Sequence, residues 1–93
     1  MSGASLEIVC IETGGDGWEC RVDTGSTSHA VTVSNAELQK YAAGSSDPAA
    51  LVTGSFLFLL DREPASSILS RFSLSVIERY FPEYPSEIAR YLR

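Results

Sequence analysis

The chain has 93 residues, enough for one hydrophobic core and too few for two. Its 44% hydrophobic and 20% charged residues exclude the charge-rich, apolar-poor composition that keeps chains disordered. The net charge of −5 is concentrated in residues 1–47, where seven acids face only Arg21 and Lys40, and this argues against binding to a polyanion such as duplex DNA.

Residues 1–5 (Met-Ser-Gly-Ala-Ser) lack the basic region and apolar run of a signal peptide, so the expected location is the cytoplasm. Leu6 to Thr13 is rich in β-branched residues and ends in Gly14-Gly15-Asp16-Gly17, a hairpin signal. A second strand, Trp18 to Thr24, alternates cleanly: Trp18, Cys20 and Val22 face one way, Glu19, Arg21 and Asp23 the other. With Gly25-Ser26 as a tight turn, Val22 faces His29, Cys20 faces Val31 and Trp18 faces Val33, which places both apolar sets on one face. The first hairpin stays open. A three-residue loop sets Cys10 opposite Cys20, and a loop one residue longer turns Val9 and Ile11 to the core.

Ser34-Asn35-Ala36-Glu37 has the spacing of a capping box and predicts a short helix from Asn35, stopping by Gly44. Asp47-Pro48 opens a second helix that runs to about Arg62, because Pro64 disfavours helical geometry at Glu63. Its residues Leu51, Val52, Phe56, Leu57, Phe58, Leu59 and Leu60 occupy nearly every angle of the wheel, so it needs cover on more than one side. The apolar stretch from Leu51 to Leu60 falls well short of the roughly 20 residues that span a bilayer, and no membrane association is expected. Ile68, Leu69 and Phe72 form a short apolar turn. Ser73 or Ser75 then caps a further helix, with Ser75-Val76-Ile77-Glu78 repeating the capping-box spacing. Pro82 and Pro85 break it, and Ser86 to Leu92 makes a last turn. The expected fold is α+β: a three-stranded antiparallel β-meander (1–34) followed by three to four α-helices (35–93) packed on one face of the sheet, all in a single domain spanning 1–93.

From Ser55 to Tyr84 the chain reads SFLFLLDREPASSILSRFSLSVIERYFPEY. These two blocks, SFxFLLxREPxxSIL and xVIxRYFPEY, resemble the carboxy-terminal signature of a family of small uncharacterised bacterial proteins. The resemblance implies a small bacterial protein without an assigned activity, and it carries no catalytic or binding residue over to this chain.

The chemistry-bearing residues are sparse. His29 is the only imidazole, and no nucleophile motif accompanies it, so a structural role on the inner sheet face outweighs a catalytic one. Cys10 and Cys20 are read as buried free thiols ahead of a disulfide, and with one His they fall short of a zinc site. Glu7, Glu12, Asp16, Glu19 and Asp23 lack the ordered spacing of a calcium loop and fit a solvated outer sheet face. The carboxy-terminal arginines are matched one for one by acids, which suggests intrahelical ion pairs rather than a nucleic-acid surface. No catalytic, cofactor-binding or metal-ligating residue is therefore assigned, no cofactor is expected, and the chain is not expected to be an enzyme.

The expected function is a non-enzymatic protein-interaction module, either a homodimer or an accessory subunit. It rests on more apolar surface in residues 51–92 than a small sheet can cover, with Phe58, Tyr80, Phe81, Tyr84 and Tyr91 as candidate contact residues. One alternative is an antitoxin-like regulatory protein whose acidic half engages a basic partner. The other is an enzyme centred on His29.

Overall fold

The computed structural model describes residues 6–92; the amino-terminal reading of residues 1–5 and Arg93 fall outside them. Strands β1 (Glu7–Glu12), β2 (Gly17–Asp23) and β3 (Ser28–Ser34) form the expected antiparallel meander. The second hairpin has the expected register: Val22 faces His29, Cys20 faces Val31 and Trp18 faces Val33. In the first, the amide of Thr13 donates to the Gly17 carbonyl at 3.2 Å, closing a three-residue loop that sets Cys10 opposite Cys20 and turns Val9 and Ile11 outward.

That register joins the two sulfurs. Cys10 and Cys20 form a disulfide between neighbouring strands, which corrects the expectation of free thiols. The physical reason lies in the ladder. Thr13 and Gly17 are a hydrogen-bonded pair, so Cys10 and Cys20, three steps along, are a non-hydrogen-bonded pair, whose side chains stand closest.

Helix α1 (Asn35–Tyr41) begins with the expected capping box: the Glu37 amide donates to Ser34 Oγ at 3.0 Å, and the Ser34 amide donates to Glu37 Oε1 at 2.8 Å. Helix α2 (Pro48–Leu60) starts at Asp47, whose Oδ1 accepts from the Ala50 amide. The chain then makes a 3₁₀ turn (Ala65–Ser67) and enters a strand absent from the expected fold, β4 (Arg71–Ser73). β4 pairs in parallel with β3, Phe72 beside Val31, so the sheet has four strands in the order β1-β2-β3-β4 and is mixed rather than a three-stranded meander. The polypeptide crosses between these parallel neighbours through α1 and α2, as parallel pairing requires.

Helices α3 (Val76–Tyr80) and α4 (Tyr84–Glu87) and a final 3₁₀ turn (Ile88–Tyr91) complete the described chain. The second expected capping box does not form. The Ser75 side chain caps nothing, and its amide donates instead to Glu37 Oε2 at 2.8 Å, so one carboxylate serves the starts of both α1 and α3.

The core lies between the sheet's inner face and these helices, built from Cys20, Val22, Val31 and Val33 on the strands and Leu51, Val52, Phe56, Phe58 and Leu59 on α2. α2 is covered on two sides, as its all-round apolarity requires. Phe56 faces the sheet, its ring 5.3 Å from that of His29 and 6.2 Å from that of Phe72. Phe58 faces the carboxy-terminal segment, meeting the rings of Phe81, Tyr84 and Tyr91 edge-on at 5.2–5.9 Å. Close approach of the last 3₁₀ turn depends on Gly54, where an added Cβ would lie 2.8 Å from the Tyr91 carbonyl oxygen. Among the described residues no helix is long and apolar enough to cross a membrane.

Candidate functional site

His29 is buried on β3, and the fold engages both of its ring nitrogens. Nδ1 lies 2.7 Å from the Leu69 carbonyl and so carries a proton toward it, while Nε2 lies 2.7 Å from the Thr27 hydroxyl. Thr27 is held in turn by Thr24, hydroxyl to hydroxyl at 2.7 Å. This chain of contacts reaches across 40 residues of sequence to fix the segment that enters β4. It leaves the imidazole no free nitrogen for a substrate proton.

The other buried polar groups are similarly occupied. Ser55 Oγ donates to the Leu51 carbonyl at 2.7 Å and accepts from Tyr84 Oη at 2.6 Å, which links the two sequence blocks SFxFLL and RYFPEY through the core. Burial holds the Tyr84 phenol above its ordinary range, only partly offset by Ser55. The Tyr41 phenol is likewise raised, first by burial and then by its 2.7 Å hydrogen bond to the Glu78 carboxylate. Among the described residues no buried side-chain nitrogen or oxygen lacks a partner, and no group of three or more His, Cys, Asp or Glu is arranged to hold a metal.

The surface is more informative. On the open face of the sheet, β1 contributes Glu7, Val9 and Ile11, β2 contributes Glu19, Arg21 and Asp23, and β3 contributes small residues, Ser28, Ala30 and Thr32. Val9 is 65% exposed and Ile11 60%. Of the five acids expected on a solvated outer face, Glu7, Glu19 and Asp23 are there, beside two bare aliphatic side chains, whereas Glu12 falls on the other face of β1 opposite Trp18 and Asp16 lies in the turn.

On the opposite side of the molecule a groove of about 340 Å³ runs between the end of α2 and α3. It is lined by the buried Leu59, Ile68, Phe72 and Ile77 and the half-buried Val76 and Phe81. Leu69, 47% exposed, and Tyr80, 66% exposed, stand at its rim. The one charged lining residue is Glu63, half-buried and without an ion-pair partner among the described residues. Arg79, next to Tyr80, is exposed and also makes no ion pair within the described chain, whereas Arg71 of β4 lies on the open sheet face beside Glu7, Val9 and Arg21.

The five candidate contact residues separate on this geometry. Tyr80 is exposed and Phe81 half-buried, and both line the groove. Phe58 and Tyr84 are completely buried, so they cannot serve as contact residues: the cover that α2 needs comes from the chain's own carboxy-terminal segment. Tyr91 is half-buried, packed on Phe58, with its hydroxyl donating to Asp61 at 2.7 Å.

The ion pairs also differ from the expected intrahelical pattern. Arg90 and Glu87 are three residues apart, but Arg62–Glu83 and Lys40–Glu78 each join separate elements at 3.1 Å. The Arg62 guanidinium additionally lies 3.7 Å from the centre of the Phe58 ring, so it roofs the aromatic cluster.

Sequence reasoning overlooked Leu69 and Glu63 in the groove and Val9 and Ile11 on the sheet. A signal existed for the strand: Ile8 and Cys10 alternate with Val9 and Ile11, so β1 is apolar on both faces, which an antiparallel strand with one wet face is not. Compared with known proteins, the chain matches no family model, no curated protein and no solved structure.

Proposed function

We propose that this chain is a non-enzymatic protein-interaction module that docks a protein surface, its own or an accessory partner's, through the groove beside α3. The observation that carries this reading is the coincidence of bare Leu69 and Tyr80 side chains with an apolar groove whose one charge among the described residues, Glu63, has no ion-pair partner among them. Apolar surface with a half-buried carboxylate is stabilised when a partner supplies both an apolar side chain and a cation. A second copy can supply both, because Tyr80 is flanked by Arg79, which makes no ion pair among the described residues. The non-enzymatic part of the reading is supported by the commitment of both His29 nitrogens to fold contacts.

The test is solution mass over a range of protein concentrations, together with retention of host proteins, for the wild type and for Tyr80→Asp. Tyr80 is exposed, so the variant keeps its fold, which circular dichroism checks. Expected is a concentration-dependent dimer, or a retained protein, that the substitution removes. A wild type that is monomeric throughout and retains nothing that Tyr80→Asp loses would overturn the reading.

A second reading, an antitoxin-like regulator of a basic partner, is favoured by the crowding of Glu7, Glu19 and Asp23 on the open sheet face around Arg21. Loss of that partner on reversing these acids, with the groove intact, would select it.

A further inference from the structure

Among the described residues β1 ends the sheet, with β2 on one side and no strand on the other. Because Thr13 and Gly17 are a hydrogen-bonded pair, the odd-numbered residues of β1 exchange their bonds with β2, and the amides and carbonyls of Ile8, Cys10 and Glu12 point away from the sheet. No hydrogen bond to these groups exists among the described residues. Proteins commonly blunt such an edge with lysine, proline or a bulge. This one has none of them: the strand reads EIVCIE and pairs without interruption over six positions.

Three features say what the edge would accept. Val9 and Ile11 stand bare beside it on the open face, so an added strand gains apolar cross-strand contacts there. The Cys10–Cys20 disulfide clamps the middle of the edge strand to β2, which holds the free groups in place before anything binds. The strand's charges are Glu7 and Glu12, and its neighbour adds Glu19 and Asp23 against Arg21, so even with Arg71 further across the same face the edge stays net acidic, a second acidic β1 is disfavoured and a basic segment favoured. We infer that the β1 edge binds, by antiparallel strand addition, an extended segment of a partner protein with apolar residues opposite Val9 and Ile11 and Lys or Arg opposite Glu7 and Glu12. This surface is separate from the groove beside α3, and the inference does not depend on it.

The probe is a fluorescent peptide with lysines placed to oppose Glu7 and Glu12 and valines placed to oppose Val9 and Ile11. It is titrated against the wild type, Val9→Lys/Ile11→Lys, Glu7→Lys/Glu12→Lys and Tyr80→Asp, with anisotropy as the readout. All the substituted side chains are exposed, so each variant folds. Expected is saturable binding to the wild type and to Tyr80→Asp, weakened about tenfold or more in both β1 variants. On binding, the amides of Ile8, Cys10 and Glu12 become protected from hydrogen exchange. Absence of saturation up to about 1 mM peptide, or equal binding by the β1 variants, overturns the inference. Self-association of the wild type that only the β1 variants abolish also overturns it, replacing the basic segment with a second copy.

Discussion

His29 shows how one side chain is recruited to hold a fold together. Its two hydrogen bonds and its packing on Phe56 fasten β3 to the residues just before β4, a strand of only three residues whose attachment needs such help. Replacing it with alanine removes a buried ring and leaves the Leu69 carbonyl without its partner. The expected cost is about 2–4 kcal/mol, by comparison with large-to-small core substitutions that also orphan a polar group. Urea unfolding measures that loss. Hydrogen exchange locates it, because the amides of Ala30 and Leu74, which bond to Ser70 and Thr32 along the β3–β4 seam, lose protection first. If His29→Ala keeps its stability within about 0.5 kcal/mol, the imidazole is not structural and the enzymatic reading revives.

At the scale of elements, the first hairpin is the one covalently fastened. The disulfide closes a loop with a sequence separation of 10, and loop-closure entropy for that length corresponds to about 2.5–3 kcal/mol. Replacing Cys10 and Cys20 together with alanine therefore lowers stability by about that amount, and β1 becomes the least protected strand. Thiol titration of the unfolded, unreduced protein checks the premise: two free thiols per chain would show that the bond is absent in solution.

The elements were unevenly legible in the sequence. β2 and β3 were readable because their apolar residues fall on one face only, so a single register satisfies both. β1 was not, because two apolar sets compete on opposite faces and only the loop length decides between them. β4 was invisible locally: Arg71-Phe72-Ser73 has one apolar residue, and the strand exists through distant pairing with β3. The Ser75 capping box failed for a related reason. Its spacing is correct, but Glu78 is drawn to Tyr41 and Lys40, and the Ser75 amide to Glu37. The same limit governs the candidate site. Tyr80 and Tyr84 are four residues apart, one ending α3 and the other starting α4, and contacts distant in sequence, the Ser55 hydroxyl 29 residues away and the rings of Tyr41 and Phe58, make only Tyr84 core.

Across the whole molecule, two carboxylates decide how the carboxy-terminal segment responds to acid. Glu78 ties α3 to α1, and its carboxyl is held below the ordinary range first by the Tyr41 hydroxyl and then by Lys40. Glu83 ties the start of α4 to α2, and its carboxyl is lowered first by its own backbone amide and then by Arg62. A group whose folded-state pKa lies below its unfolded value binds fewer protons when folded. Its contribution is therefore fully present above the ordinary carboxylate value of 4.5 and is lost as pH falls through the folded value. The wild type should thus keep a constant urea midpoint down to about pH 5 and lose stability progressively below it. The carboxy-terminal segment should loosen from α2 before the meander, because both groups anchor that segment and the disulfide keeps the first hairpin closed at any proton concentration. Glu78→Gln/Glu83→Gln should be less stable than the wild type at neutral pH and flatter in acid, so that the two curves converge as pH falls below the ordinary carboxylate range. Curves that stay parallel would place the acid sensitivity elsewhere than in Glu78 and Glu83.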